Sequence, residues 1–211
     1  MKNILVISPH PDDEVIGCGG TLAKKISEGY RIEVIFLTSG EKGINGKSEE
    51  EAKRIREQES VEVSGFFNFN KIEFWEQKDG ELYPTNDLIF RLKRHIEQYS
   101  PHEIFVTHFE EQHPDHHNAA VLVKEAISTI KPTLLIPEVW MFEVWTPLQE
   151  MDLIVDISEF IEIKRKGVQM YKSQCRILKF DEAIIGLNRY RGEMHSWPGG
   201  NYAEVFKKMK I

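Results

Sequence analysis

The chain has 211 residues, of which 41% are hydrophobic and 29% charged, and its formal net charge at pH 7 is −7. This length and composition suffice for one domain with a full hydrophobic core, so we expect residues 1–211 to form a single domain. The acidic balance argues against nucleic acid as a partner, because proteins that bind its phosphate backbone are typically basic.

The cysteines and the apolar runs indicate the cellular compartment of the protein. Cys18 and Cys175 lie far apart and form no CxxC motif, which argues against a disulfide framework or a thiolate zinc site and fits a reducing cytoplasm. The apolar run in the N-terminal MKNILVIS is too short for a signal peptide. No stretch has the roughly 18–20 apolar residues of a membrane span. We therefore expect a cytoplasmic protein without a membrane span.

Strand and helix patterns alternate along the chain. Apolar runs predict strands, and helical spacing of apolar residues predicts helices. The predicted strands lie at 3–8, 31–40, 71–75, 103–109, within 133–145 and at 152–158, and the predicted helices at 20–30, 48–64, 85–100, 116–130 and 159–174, with helix and a Gly/Pro loop in 180–211. This alternation predicts an α/β fold, a Rossmann-like three-layer sandwich with a mainly parallel sheet.

Three polar segments follow three of the predicted strands. PHPDDE (9–14) follows the first strand, SGEKG (39–43) follows or ends the second, and HFEEQHPDHH (108–117) follows the fourth. Ligands of parallel α/β sheets bind beyond the carboxyl ends of the strands. We therefore expect these segments to converge at one edge of the sheet.

Two glycine-rich stretches do not match nucleotide-binding loops. Gly17, Gly19 and Gly20 give G-x-G-G, whereas the dinucleotide fingerprint is G-x-G-x-x-G. GEKGINGKS (40–48) ends like a phosphate-binding loop but has Glu41 where that motif requires its first glycine. We interpret the first stretch as the tight passage from strand to helix and the second as a mobile loop.

Histidines and carboxylates gather after two of the strands. His10, Asp12 and Asp13 follow the first strand, and His113 and His116 follow the fourth. Two histidines and one carboxylate suit a divalent metal, most naturally zinc, with a fourth position open to water. Helix capping by the acids and surface exposure of the histidines would explain one or two of these residues. It would not explain a second His-Pro-Asp at another strand end, so we predict a metal site.

SPHPDDE, together with the later HPDHH, resembles the LmbE-like or PIG-L deacetylase family, whose signatures are a (P/A)HPDD(E) motif and a later HPDH. RIREQE (54–59) resembles the Arg-x-x-Glu helix of that family, and RGEMHSWPGGNYAEVF (191–206) resembles its C-terminal ending. The resemblance covers nearly the whole chain. It implies a zinc-dependent hydrolase, with one zinc ion per chain, that removes the N-acetyl group from an N-acetylglucosamine-containing small conjugate. It also implies a homo-oligomer.

Matching positions carry the roles of the family onto this chain. His10, Asp13 and His116 would hold the zinc ion, and Asp12 would be the general base that takes a proton from water.

The remaining site residues would support catalysis. His113 would donate to the developing oxyanion, while Asp115 would orient His113 and keep it cationic. Arg56 is our candidate for holding substrate hydroxyls or a phosphate. Glu14 would steady His10 or stabilise the start of the helix.

Several residues and functions stay open at this point. Sugar contact and ordinary packing are both open for His108, His195, Tyr190, Tyr202 and the aromatic residues Trp140, Phe142 and Trp145. The competing functions are another metal-dependent hydrolase, such as a phosphoester hydrolase with two metals, and a zinc-binding protein without catalysis. A soluble conjugate such as a bacillithiol precursor is the substrate that the short chain favours.

Overall fold

The computed structural model describes residues 2–130, 136–195 and 200–211. The strands are β1 (Asn3–Ser8), β2 (Arg31–Thr38), β3 (Lys71–Gln77), β4 (Glu103–Thr107), β5 (Glu138–Phe142), β6 (Leu153–Asp156) and β7 (Ala203–Lys208). The helices are α1 (Asp13–Ser27), α2 (Glu49–Phe67), α3 (Asn86–Tyr99), α4 (Pro114–Ser128), α5 (Ile161–Met170), α6 (Lys172–Cys175) and α7 (Phe180–His195). None of these helices is long and apolar enough to cross a membrane.

The seven strands form one sheet in the order β3-β2-β1-β4-β5-β7-β6. The first five in this order are parallel, and β7 runs antiparallel to both β5 and β6. Successive side chains of a strand point to opposite faces, so β1 supplies both layers of the core. Leu5 and Ile7 pack with α3 and α4, whereas Ile4 and Val6 pack with α1, α2, α5 and α7. The predicted three-layer α/β fold with a mainly parallel sheet is confirmed.

Helix α1 begins at Asp13, seven residues earlier than the predicted start at residue 20. Gly17, Gly19 and Gly20 therefore lie inside a helix, and our interpretation of them as a strand-to-helix passage is wrong. A Cβ atom on Gly17 would lie 2.0 Å from the ring of Phe142, and one on Gly20 would lie 2.7 Å from Ile157. These glycines let α1 approach its neighbours closely, which explains helix-weakening residues in a helical segment.

Strand β7 lies in a segment where the sequence predicted helix and loop. Glu204 is the second residue of the strand and has only 1% of its surface exposed, and this buried charge hides the strand pattern. Its carboxylate accepts hydrogen bonds from the backbone N–H groups of Gly20 and Thr21 and from Lys164 Nζ. The strand is thus pinned to α1 and α5 by a buried polar cluster.

We expect Gly17→Ala to lower the free energy of unfolding by about 1–3 kcal/mol, because the new methyl group must displace the Phe142 ring. Gly65→Ala is the matched control, since Gly65 lies in α2 and a methyl group there would have no other atom within 4 Å. That control should raise stability by roughly 0.5–1 kcal/mol through backbone entropy. Urea unfolding curves measure both changes, and equal effects of the two substitutions would contradict the packing argument.

Candidate metal centre

The polar segments after β1, β2 and β4 converge at the carboxyl edge of the sheet, as the sequence predicted, and the loop after β3 joins them. A cavity of about 300 Å³ opens there. Its lining residues are His10, Asp12, Asp13, Ile16, Lys42, Gly43, Arg56, Asp79, Gly80, His113, Val144, Trp145, Gln174 and Phe180. A larger groove beside α2 and β3 has no histidine among its lining residues. The chemistry-bearing side chains therefore single out the smaller cavity.

Three candidate ligand atoms form a nearly equilateral triangle. His10 Nδ1 lies 3.2 Å from Asp13 Oδ2 and 3.2 Å from His116 Nε2, and the latter two atoms are also 3.2 Å apart. Bonds of about 2.0–2.1 Å in a tetrahedral zinc site place the ligand atoms about 3.3–3.4 Å from one another. The triangle therefore has the dimensions of one face of such a site.

Buried negative charge exceeds buried positive charge around this triangle. The buried carboxylates are those of Asp12, Asp13, Asp79, Glu111 and Asp115. Among the described residues that line the cavity, Arg56 is the buried permanent cation. Buried carboxylates are costly unless a cation pairs with them. A divalent metal at the triangle would supply the missing positive charge.

The pKa of His10 reflects the same excess of negative charge. Burial lowers the pKa of this imidazole, but the carboxylates of Asp115, Asp13 and Asp79 outweigh that effect and hold the pKa well above its usual value. The pKa of Asp13 is held well below its usual range, because the neighbouring imidazoles outweigh its burial. The centre thus attracts positive charge, whether a proton or a metal cation.

Asp115 is directed toward His10. Its Oδ2 lies 3.2 Å from His10 Nε2, and its two oxygens accept hydrogen bonds from the N–H groups of Gly80 and Leu82 at 2.7 and 3.1 Å. Over the described ranges, no hydrogen bond joins this carboxylate to the His113 ring. Asp115 is therefore placed to fix the tautomer and the orientation of His10. This placement differs from the expectation that its carboxylate orients His113.

Asp79 is a site residue that the sequence analysis missed. It lies in the loop after β3, and its Oδ1 is 3.1 Å from His10 Nε2. Its Oδ2 accepts a hydrogen bond from the N–H of Lys42, and its own N–H donates to Glu41. A lone Asp before a glycine is an ordinary turn signal. Its position just after a parallel strand is the signal that could have revealed it.

The HPDHH motif forms the beginning of α4. His113 is the residue before the helix, and its Nδ1 accepts the N–H of Asp115 at 3.3 Å, while Pro114 opens the first turn. This hydrogen bond leaves the ring proton of a neutral His113 on Nε2. Burial lowers the pKa of His113, and the neighbouring rings of His10 and His116 lower it further. This lowered pKa favours a neutral His113 in the metal-free protein, and the cationic state implied by the resemblance stays a prediction.

His116 is completely buried within the first turn of α4. Its Nε2 belongs to the ligand triangle, whereas its Nδ1 has no hydrogen-bond partner among the described residues and faces Glu111 Oε2 at 3.7 Å. Thr107 donates to the carbonyl of His116, which ties the helix start to the end of β4. Glu111 was not singled out from the sequence, where it is one of two adjacent glutamates.

Asp12 has a strained backbone and a buried carboxylate. Its φ angle is 119°, a conformation that costs a residue with a side chain of the order of 1–3 kcal/mol. Arg56 Nη2 lies 3.2 Å from its Oδ2. Burial raises the pKa of Asp12, Arg56 lowers it and Asp13 raises it again, giving a pKa of about 7. A carboxylate with this pKa is suited to accept and return a proton near neutral pH.

Arg56 reaches the cavity from α2, and two of its three guanidinium nitrogens have partners inside the protein, whereas its buried Nε has none among the described residues. Nη1 donates to the carbonyl of Gly40, and Nη2 donates to the carbonyl of Pro11 and pairs with Asp12. Its side chain is almost fully buried, and a Cβ on Gly40 would lie 2.3 Å from Nη1. The contacts make Arg56 a support for Asp12, and substrate contact by Arg56 stays a prediction.

Glu14 serves the beginning of α1. Its Oε2 accepts the N–H of Asp12 at 3.1 Å, and its Oε1 accepts the hydroxyl of Tyr171 at 2.5 Å. Burial raises the pKa of Glu14 to about 8, although the Tyr171 hydrogen bond opposes this shift. Of the two roles that the sequence left open, these contacts favour stabilisation of the helix start.

The residues left open by the sequence separate into buried, distant and rim positions. His108 is buried, and its Nε2 donates to the carbonyl of Thr146 at 2.7 Å. His195 ends α7 and packs against Tyr190, and neither residue lines the cavity. Phe142 belongs to the core, whereas Trp145 stands at the cavity rim with 49% of its surface exposed.

Comparison with known proteins places this site in a family. A family model described as PIG-L, GlcNAc-PI de-N-acetylase, matches residues 5–127. The diacetylchitobiose deacetylase of Thermococcus kodakarensis is 28% identical over 82% of this chain and 70% of its own. A 4-oxalmesaconate hydratase of Pseudomonas putida is 27% identical over 85% of this chain and 76% of its own.

Two further comparisons concern deacetylases. A probable N-acetyl-alpha-D-glucosaminyl L-malate deacetylase 2 of Bacillus cereus is 26% identical over 85% of this chain and 87% of its own. The structure of N,N'-diacetylchitobiose deacetylase from Pyrococcus horikoshii superposes with a TM-score of 0.87 at 25% identity, covering 99% of this chain and 84% of that one. These similarities confirm the resemblance to the PIG-L deacetylase family that the sequence motifs indicate.

We expect His116→Ala to abolish stoichiometric metal binding, because it removes one corner of the ligand triangle. His117→Ala is the matched control, since His117 is the exposed neighbour whose ring Nδ1 lies 2.7 Å from the Phe109 carbonyl. Elemental analysis of purified protein measures the metal per chain. Full metal content in the His116 variant would rule out its assignment as a ligand.

We expect Asp79→Asn to weaken metal affinity by roughly 10–100-fold while leaving the fold intact, because the carboxylate holds the outer nitrogen of His10. Competition with a fluorescent chelator measures the affinity. Asp87→Asn, an exposed change in the first turn of α3, is the control. An affinity equal to that of the wild type would remove Asp79 from the centre.

Proposed function

Because the chain belongs to the PIG-L family, we propose that it is a zinc-dependent N-deacetylase. Its substrate would be an N-acetylglucosamine-containing small molecule, which it would hydrolyse to acetate and a free amine. The single observation that carries this proposal is the triangle of His10, Asp13 and His116 beside the buried carboxylate of Asp12 in one cavity. The deacetylase relatives support the same reaction.

The ligand triangle fits zinc in donor type and in size. His10, Asp13 and His116 would hold one zinc ion per chain, and the carboxylates of Asp79 and Asp115 would fix the ring of His10. When bound, zinc lowers the pKa of water and polarises the amide carbonyl as a Lewis acid.

Asp12 would act as the general base and then as the general acid of the reaction. It would accept a proton from the attacking water as the new C–O bond forms, and deliver it to the nitrogen as the amide C–N bond breaks. Its position in the cavity beside the ligand triangle and its ion pair with Arg56 support both steps.

His113 would stabilise the charge that develops on the carbonyl oxygen. Its ring lines the cavity 4.8 Å from the ring of His10, and the Asp115 N–H on Nδ1 leaves Nε2–H as the donor. A preorganised donor of this kind is often worth about 2.7–4 kcal/mol of transition-state stabilisation.

A hydratase is the second candidate, because one relative of comparable identity is a 4-oxalmesaconate hydratase. Hydration of a double bond releases no acetate, so the product separates the two reactions.

A metal content near one per chain would count against a two-metal phosphoester hydrolase. The cytoplasmic location and the homo-oligomer stay predictions.

We expect Asp12→Asn to lower acetate release by about 10²–10⁴-fold, because the amide cannot accept the proton. The metal content should stay near that of the wild type. Acetate release is measured from N-acetylglucosamine, N,N'-diacetylchitobiose and N-acetylglucosaminyl malate, with Asp87→Asn as the surface control. Undiminished turnover by the metal-loaded Asp12 variant would refute the mechanism, and no acetate from any of these compounds with the wild type would refute deacetylation of this class.

A further inference from the structure

A half-exposed indole ring stands at the rim of the metal cavity. Trp145 exposes 49% of its surface, and its ring meets Phe180 edge to face with centroids 5.4 Å apart. Both residues line the same cavity as His10 and Asp12. Large aromatic side chains gain free energy when their faces are covered. This apolar surface beside a polar reaction centre is suited to the apolar face of a ligand.

Glu111 holds the backbone that carries this ring. Its carboxylate accepts hydrogen bonds from the N–H groups of Val144 at 2.7 Å, Trp145 at 3.1 Å and Thr146 at 3.2 Å. The carboxylate is fully buried, and its Oε2 lies 3.7 Å from Nδ1 of His116. The side chain that fixes the aromatic wall therefore lies next to a candidate metal ligand.

A second buried ion pair anchors the same loop. Arg191 donates from Nε and Nη2 to both carboxylate oxygens of Glu143, at 3.1 and 2.7 Å, and from Nη2 to the carbonyl of Leu148. The N–H of Leu148 donates to Glu143 in turn. The loop is thus held on both sides of Trp145, and the exposed ring is a preorganised surface. Its loss of conformational entropy on ligand binding is therefore small.

The charges of the cavity select against an acidic ligand. Lys42 and Arg56 are its two cationic lining residues in the part of the chain that the structure describes. Arg56 is bonded to Asp12 and to backbone carbonyls, and Lys42 Nζ lies 3.2 Å from Glu81. Asp79 adds a carboxylate to the lining. The carboxylates of Asp12, Asp13 and Asp79 thus outnumber the two cations of the lining, which disfavours an anionic group on the substrate.

We propose that Trp145, backed by Phe180, is a specificity-determining platform that stacks on an uncharged ring joined to the N-acetylglucosamine unit. The inference rests on the proposed deacetylase function. It assigns this chain to neutral glycosides of N-acetylglucosamine, and not to the malate conjugate or to a carboxylate substrate such as the one named for the Pseudomonas putida relative. In this proposal the indole would contact the ring next to the acetamido-bearing one, so its removal would affect binding of the larger substrate alone.

The test compares KM and kcat of the zinc-loaded enzyme for N,N'-diacetylchitobiose, N-acetylglucosamine and N-acetylglucosaminyl malate. We expect Trp145→Ala to raise KM for the disaccharide about tenfold with kcat within about twofold, and to leave both constants for the monosaccharide unchanged. Trp145→Phe should keep most of the disaccharide affinity. Phe90→Ala, which removes an exposed aromatic ring on α3 outside the cavity, should change nothing.

Binding is measured separately from turnover by tryptophan fluorescence. N,N'-diacetylchitobiose should change the emission of the Asp12→Asn enzyme, and this change should be lost when Trp145→Phe is added. An unchanged KM in Trp145→Ala, a fluorescence change that persists in the double variant, or a higher kcat/KM for the malate conjugate than for the disaccharide would each overturn the platform. Absence of acetate from all three compounds with the wild type would instead refute the proposed function.

Discussion

The concentration of buried carboxylates at the carboxyl edge of the parallel sheet is the constraint on which the rest of the site depends. Asp13, Asp79 and Asp115 all lie within hydrogen-bond distance of the single ring of His10. Such a cluster is costly without a cation and without donors for every oxygen. Backbone N–H groups of the loops after β2 and β3 satisfy the outer carboxylates, which leaves the inner triangle as the place for positive charge.

Buried polar side chains transmit this constraint to the surrounding loops. Arg56 bridges α2, the loop after β2 and Asp12, so that the strained residue and its support are fixed together. Glu111 connects the region of His116 to the backbone of the loop after β5. Each loop that forms the cavity is therefore held by a side chain that also touches the centre or its nearest neighbours, which gives the preorganisation that catalysis requires.

The sequence predicted the parts of this structure that are encoded locally. His10, Asp13 and His116 stand in short motifs directly after apolar strands, and the rule that ligands bind at strand ends brought them together. Asp79 and Glu111 lack such a motif, because they become site residues only when the sheet places their loops beside the histidines. Strand β7 was missed for a related reason: Glu204 is tolerated in the core only through partners on α1 and α5.

The division of labour between Asp115 and His113 follows from charge rather than from motif. A cationic His113 would stand beside the rings of His10 and His116, and a divalent ion among them would increase the repulsion. A neutral ring avoids this cost and still offers one N–H to a developing oxyanion, because the backbone N–H of Asp115 occupies its Nδ1. The carboxylate of Asp115 lies 3.2 Å from His10 Nε2, where its negative charge would orient His10 and strengthen it as a metal ligand.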